Sequence, residues 1–140
     1  MGSVAGLLGP LAANYRVLLA ADQTLARYEN HYFDTVNRHC YREHHRGRGR
    51  RYKVRVRSYL DRELSVLEVK SRNPRRLTSK RRLQRSFGEV GIEDPAAMQF
   101  IAENSPLPAM ELQLSLSNSF RRITLVGLDS PERITLDLGI

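Results

Sequence analysis

Tryptophan is absent from the 140 residues, cysteine occurs once, lysine three times, and no stretch reaches the ~18 uncharged apolar residues that a membrane helix needs. The lone Cys40 excludes an internal disulfide and any multi-cysteine metal site, and a single thiol suits a reducing compartment. Met1 to Ala13 is apolar but has no basic residue ahead of its apolar part, so it lacks the pattern of a secretory signal and the expected location is cytoplasmic. No Gly-Lys-Ser/Thr phosphate loop is present, which excludes a P-loop nucleotidase, and no glycine-flanked serine marks a nucleophile. His31, His39, His44 and His45 show no zinc-site spacing and read as surface or packing residues. Acidic residues are also scarce, 15 against 23 Lys and Arg, for a formal charge of +8.

The length suits one domain. Its cations are concentrated, because Arg38 to Arg85 holds 18 of the 23 while its acids are only Glu43, Asp61, Glu63 and Glu68. Apart from Lys53, Lys70 and Lys80 every cation is an arginine, whose planar fork matches phosphate oxygens. A GC-rich genome would give the same bias, so position has to decide what the arginines do.

Position is informative in Arg51 to Tyr59, where Arg51, Lys53, Arg55 and Arg57 alternate with Tyr52, Val54 and Val56. Alternation of this kind predicts a strand with four cations on one face. Leu64 to Lys70 predicts a second strand, joined to the first as an antiparallel hairpin, and Leu77 to Arg85 a third. Shorter strands are expected at Asn14–Leu19, Asn30–Phe33, Leu112–Leu116, Phe120–Val126 and Arg133–Leu138. A turn or short helix is expected in Ala20–Tyr28, a helical turn in Asp34–Glu43, a basic loop in His44–Arg50, and a helix within Gly88–Ala102 beginning near Asp94 and Pro95. The fold class is therefore mainly β with few helices: an antiparallel sheet or part of a barrel.

Cations two residues apart on a strand lie about 7 Å from each other, so each pair repels by roughly 0.6 to 2.4 kcal/mol at an effective dielectric of ~80 to ~20. A solvated outer face tolerates this. A face turned inward needs a polyanion, and phosphate chains fit because each oxygen accepts from an Arg fork.

The runs His31-Tyr32-Phe33-Asp34-Thr35, Cys40-Tyr41-Arg42-Glu43-His44-His45, Arg51 to Tyr59, Leu67-Glu68-Val69-Lys70, Phe120 to Val126 and Glu132 to Asp137 together resemble the VTC domain. That is the polyphosphate polymerase domain of the vacuolar transporter chaperone complex and its bacterial relatives, within the triphosphate tunnel metalloenzymes. The resemblance spans roughly Asn14 to Gly139, leaving residues 1–13 as a variable segment. It implies an antiparallel β tunnel lined by Arg and Lys, with ATP and inorganic polyphosphate as partners. The implied activity is transfer of the ATP terminal phosphoryl group to a growing chain, with a divalent metal (Mn²⁺ or Mg²⁺) held by carboxylates. The family's tunnel cations fall on Arg55, Arg57, Lys70, Lys80, Arg122 and Arg133, with Lys53 beside them on the same strand face. Their implied role is charge neutralisation and in-line positioning.

Family members begin with a strand bearing a glutamate and a tunnel lysine, and they continue past the Arg133-Ile134-Thr135-Leu136-Asp137 motif to a metal-binding glutamate and a further lysine. The chain is accordingly expected to be a central part of the domain, with an incomplete tunnel wall and its catalysis left open. Glu68 is the metal-ligand candidate, with an ion pair to a tunnel cation as the simpler reading. The competing function classes are a non-catalytic polyphosphate- or triphosphate-binding remnant and, through the Arg46-Gly47-Arg48-Gly49-Arg50 loop, a basic nucleic-acid-binding module. No membrane span is expected, although a membrane-associated partner is compatible. Replacing Arg55 and Arg57 together with Ala is expected to abolish triphosphate binding and leave the domain folded.

Overall fold

Side-chain alternation decides the architecture. In the computed structural model, which describes Gly6 and residues 9–140, the segment Arg51–Tyr59 is a strand with Val54 and Val56 fully buried on one side and its cations on the other. The strands are β1 (Tyr15–Val17), β2 (Ala26–Asp34), β3 (Arg51–Tyr59), β4 (Leu64–Arg72), β5 (Thr78–Arg85), β6 (Gln113–Gly127) and β7 (Arg133–Leu138), and the helices are α1 (His39–His45) and α2 (Pro95–Asn104). All seven strands join one antiparallel sheet. Its order runs β5-β4-β3-β2-β6, with β1 sharing an edge of β6 with β2, and β7 on the opposite edge. Among the described residues β5 and β7 are not paired to each other, so the sheet is an open half-barrel, the incomplete form of the expected tunnel.

One face of the central strands is apolar. Val54, Val56, Leu67, Val69 and Phe33 pack there against Ile92, Ala97, Ile101, Leu107 and Leu112, with Cys40 of α1 at the margin. Burying side chains of this size stabilises by ~1.5–3 kcal/mol each before conformational entropy is counted. Helix α2 is started by Asp94, whose carboxylate accepts from the Ala97 amide at 3.0 Å, with Pro95 in its first turn. Arg85 ties that start to the sheet through a 2.6 Å ion pair with Asp94, which holds the Asp94 carboxyl down to about 2.

Several expected boundaries shift by one to three residues, and three changes are larger or concern the site. The segments Leu112–Leu116 and Phe120–Val126 are parts of one 15-residue strand, β6. The polar Ser117-Asn118-Ser119 between them interrupts the apolar pattern, but Asn118 accepts from the Asn30 amide group at 2.8 Å and Ser117 bonds the His31 ring, so the segment continues the ladder. The turn after β1 is confined to Ala20–Gln23, and β2 starts at Ala26, inside the stretch expected as turn or helix. Helix α1 runs to His45, so the basic loop starts there. Residues 1–5, 7 and 8 lie outside the described residues, and with them most of the variable segment expected at 1–13. At the β6–β7 turn the chain passes so closely that a Cβ on Gly127 would lie 2.6 Å from the Ser130 carbonyl oxygen.

Candidate functional site: a cationic sheet face

Because β3, β4 and β5 pair without a bulge, their outward side chains stack in rows across the sheet. Lys53 stands opposite Lys70, and Lys70 opposite Lys80, so the chain's three lysines form one row. The next rows are Arg55-Glu68-Arg82 and Arg57-Val66-Gln84 on one side, and Arg51-Arg72-Thr78 on the other. Tyr32 and Asn30 of β2 extend the rows of Arg55 and Arg57, while Arg122, Arg133 and Asp137 occupy the same face on β6 and β7. The face lies opposite the apolar core.

The cations differ in how they are neutralised. Glu68, 2% exposed, receives Arg55 Nε at 2.6 Å and Arg82 Nε at 3.0 Å. Burial by itself raises the Glu68 carboxyl, but Arg55, Lys80 and Arg82 outweigh it and hold it below the ordinary carboxylate range. Arg122 is closed by Asp137 through two parallel bonds of 2.6 and 2.7 Å. Both arginines are therefore ion-paired as well as directed onto the face.

Arg57 is different. It is buried to 9% exposure, donates to Asn30 Oδ1 at 2.7 Å and lies over the Tyr28 and Phe120 rings, yet no carboxylate lies within 4.0 Å of it among the described residues. Burial and then repulsion from Arg55 lower its guanidinium from the ordinary value. Lys53, Lys70, Lys80 and Arg133 likewise make no ion pair among the described residues. Lys80 is lowered as well, first by burial and, against the pull of Glu68, by Arg82, Arg55 and Arg57.

At the Lys53 end the face meets α1. Asp34, at the end of β2, accepts from the backbone amides of Thr35, Cys40 and Tyr41, which fixes the start of α1 and brings His44 beside Lys53. A cavity of about 550 Å³ lies there, lined by Tyr32, Tyr41, Leu116, Asn118, Lys53 and His44 among others, and a smaller one of about 90 Å³ adjoins it.

The sequence-derived site residues Lys53, Arg55, Arg57, Lys70 and Lys80 thus converge on three neighbouring strands, with Arg122 and Arg133 at the β6–β7 end. Sequence reasoning left out Arg72 and His44. Arg72 carries a usable signal, standing two residues beyond Lys70 on the same strand face. His44 carries none, because the turn that aims it depends on Asp34.

Not every arginine belongs to the face. Arg85 anchors α2, and Arg27 pairs with Asp61 at 2.7 Å.

The strands place three carboxylates on this side: Glu68 and Asp137 are each engaged through both oxygens by guanidiniums, and Asp34, at the end of β2, by three backbone amides. No group of three His, Cys, Asp or Glu suited to a metal ion occurs among the described residues. Among the described residues, then, this donor set does not by itself make a site for a divalent metal. No helix among the described residues is long and apolar enough to cross a membrane.

No curated protein matches the chain. The family model of the VTC domain matches residues 3–140, nearly the whole sequence and all of the strands that build the cationic face. The chain therefore belongs to the VTC domain family.

Proposed function

We propose that this face binds the phosphates of ATP and of inorganic polyphosphate, and that the domain serves transfer of the terminal ATP phosphoryl group to the polyphosphate chain. The observation that carries the reading is the in-register row Lys53-Lys70-Lys80 together with Arg57 two rows away, four cations with no carboxylate partner among the described residues. A polyanion laid along the row removes their mutual repulsion and supplies the missing counter-charge. Arg55 and Arg57 would hold successive phosphates in line, since an arginine does not serve as a base at neutral pH, and Lys70 and Lys80 would neutralise charge developing on the transferring group. The 550 Å³ cavity beside Lys53 has the size and the aromatic wall for a nucleoside. A divalent metal would arrive on the substrate's phosphate oxygens, since Glu68 and Asp137 are already engaged. The cytoplasm supplies the ATP this reading needs.

Engagement of both carboxylates also favours a second reading, binding without transfer. Incubation with ATP, tripolyphosphate primer and Mn²⁺ or Mg²⁺ separates the two. Chain growth that disappears in Lys70→Met supports transfer, and tight tripolyphosphate binding with no growth supports binding alone. Absence of tripolyphosphate binding contradicts both.

A further inference from the structure

The rows of the face end in a small enclosure in which Lys70, a tunnel position of the family, and Lys53 meet His44, Arg51, Arg72 and Thr78, which the tunnel positions do not include. His44 of α1, Arg51 and Lys53 of β3, Lys70 and Arg72 of β4 and Thr78 of β5 surround about 90 Å³, far below the ~300–1,000 Å³ of pockets for drug-sized ligands. Its wall contains no acidic side chain, and none of its four permanent cations is in an ion pair among the described residues. A space of this size with these donors suits one tetrahedral oxyanion.

We propose that this enclosure is a subsite for a single terminal phosphate group, and that His44 takes up a proton when the group binds. The inference rests on the phosphate-binding reading of the face and extends it to a chain end. A terminal phosphate presents three oxygens and more negative charge than a bridging one, which matches donors converging from three strands and a helix.

The groups around His44 settle the direction of the effect. Lys53 is the largest influence, with burial, Arg51, Lys70 and Arg72 adding to it, and together they hold the imidazole below its ordinary value and neutral near pH 7. From the remaining packed elements the wall receives Thr78, which has no ionisable group, and Tyr52. Across the larger cavity Asp34 spends its carboxylate on three backbone amides, Arg38 adds positive charge, and the Cys40 thiol, pushed up by burial, is neutral. A phosphate in the enclosure reverses the local field, so the imidazole gains a proton from solvent and becomes a further donor to the anion.

Nuclear magnetic resonance titration of the His44 ring in the full 140-residue chain, free and saturated with tripolyphosphate, tests this, with His44→Gln identifying the signal. The expected result is a His44 midpoint that moves to higher pH with tripolyphosphate. Calorimetry in two buffers of different ionisation enthalpy should then show proton uptake on binding that is lost in His44→Gln. Orthophosphate as a second probe should raise the midpoint too, because the subsite takes one phosphate group. Arg72→Ala, outside the other rows, should weaken tripolyphosphate about tenfold. Tripolyphosphate that binds while the His44 titration stays unchanged overturns the subsite and leaves the wider reading intact. No binding at all contradicts the wider reading, and this inference with it.

Discussion

Lys53 and Lys70 face each other directly across the β3–β4 ladder, and Lys80 follows on β5, so like charges occupy directly opposed positions across three strands. Directly opposed like charges in a sheet destabilise, by the order of 0.2–1 kcal/mol per pair. Lys70→Met, which interrupts both pairs, is accordingly expected to raise the unfolding midpoint slightly while weakening tripolyphosphate binding about tenfold. Denaturant unfolding and calorimetric titration of the same variant check both halves.

The adjacent arginines should behave oppositely. Arg55 is paired with the buried Glu68 and also donates to the Tyr32 hydroxyl at 3.2 Å, so Arg55→Ala leaves Glu68 with Arg82 alone and is expected to destabilise by about 2–4 kcal/mol. Arg57→Met keeps the contact with Tyr28 and Phe120 and removes a buried cation but leaves the buried Asn30 Oδ1 without its donor, so its cost should stay below that of Arg55→Ala while ligand affinity falls. The joint replacement of Arg55 and Arg57, harmless to the fold on sequence grounds alone, is therefore expected to destabilise it through Arg55. Urea midpoints of the two single variants decide the matter.

Acid should loosen the anchors in a defined order. Depressed carboxyls such as Glu68 and Asp94 contribute stability that is fully present above their unfolded-state values and is lost as pH falls through the folded ones. For Asp94, whose ordinary value is 3.8 and whose folded value is about 2, that loss falls between about pH 4 and pH 2. Asp94→Asn should flatten the stability profile across that window and leave the profile at about pH 6 to 8 parallel to that of the original chain. Thermal midpoints measured every half pH unit read it out.

Cys40 gives an independent check on the packing around α1. Burial, followed by the charge of Asp34, pushes its thiol up to about 12, and only 7% of the residue is exposed. Alkylation by iodoacetamide at about pH 8 should be negligible in the folded chain and proceed at the ordinary thiol rate in denaturant. Fast labelling without denaturant contradicts the described docking of α1.

What could be read in the sequence was whatever alternation encodes. The expected strand Arg51–Tyr59 and the later strand Arg133–Leu138 have the observed limits, and Asp94-Pro95 marks the start of α2, because charge alternation and capping are local signals. Asn118 shows why β6 was harder: its polar side chain satisfies Asn30 on a strand distant in sequence, which no local pattern records. The site divides in the same way. The direction in which Lys53, Arg55 and Arg57 point followed from the period of two. That Arg55 and Arg122 are closed by Glu68 and Asp137, whereas Arg57 is not, depends on register.

Thermal unfolding with tripolyphosphate and, separately, with single-stranded RNA of equal charge, at low and at moderate salt, tests the phosphate face most directly. Tripolyphosphate is expected to stabilise the chain by about 2.7 kcal/mol at a hundredfold excess over its dissociation constant. RNA should fail to match it at moderate salt, and Lys53→Met, Lys70→Met and Lys80→Met together should remove the effect. Equal stabilisation by both polyanions, or persistence of the tripolyphosphate effect in the triple variant, would contradict a phosphate-specific face.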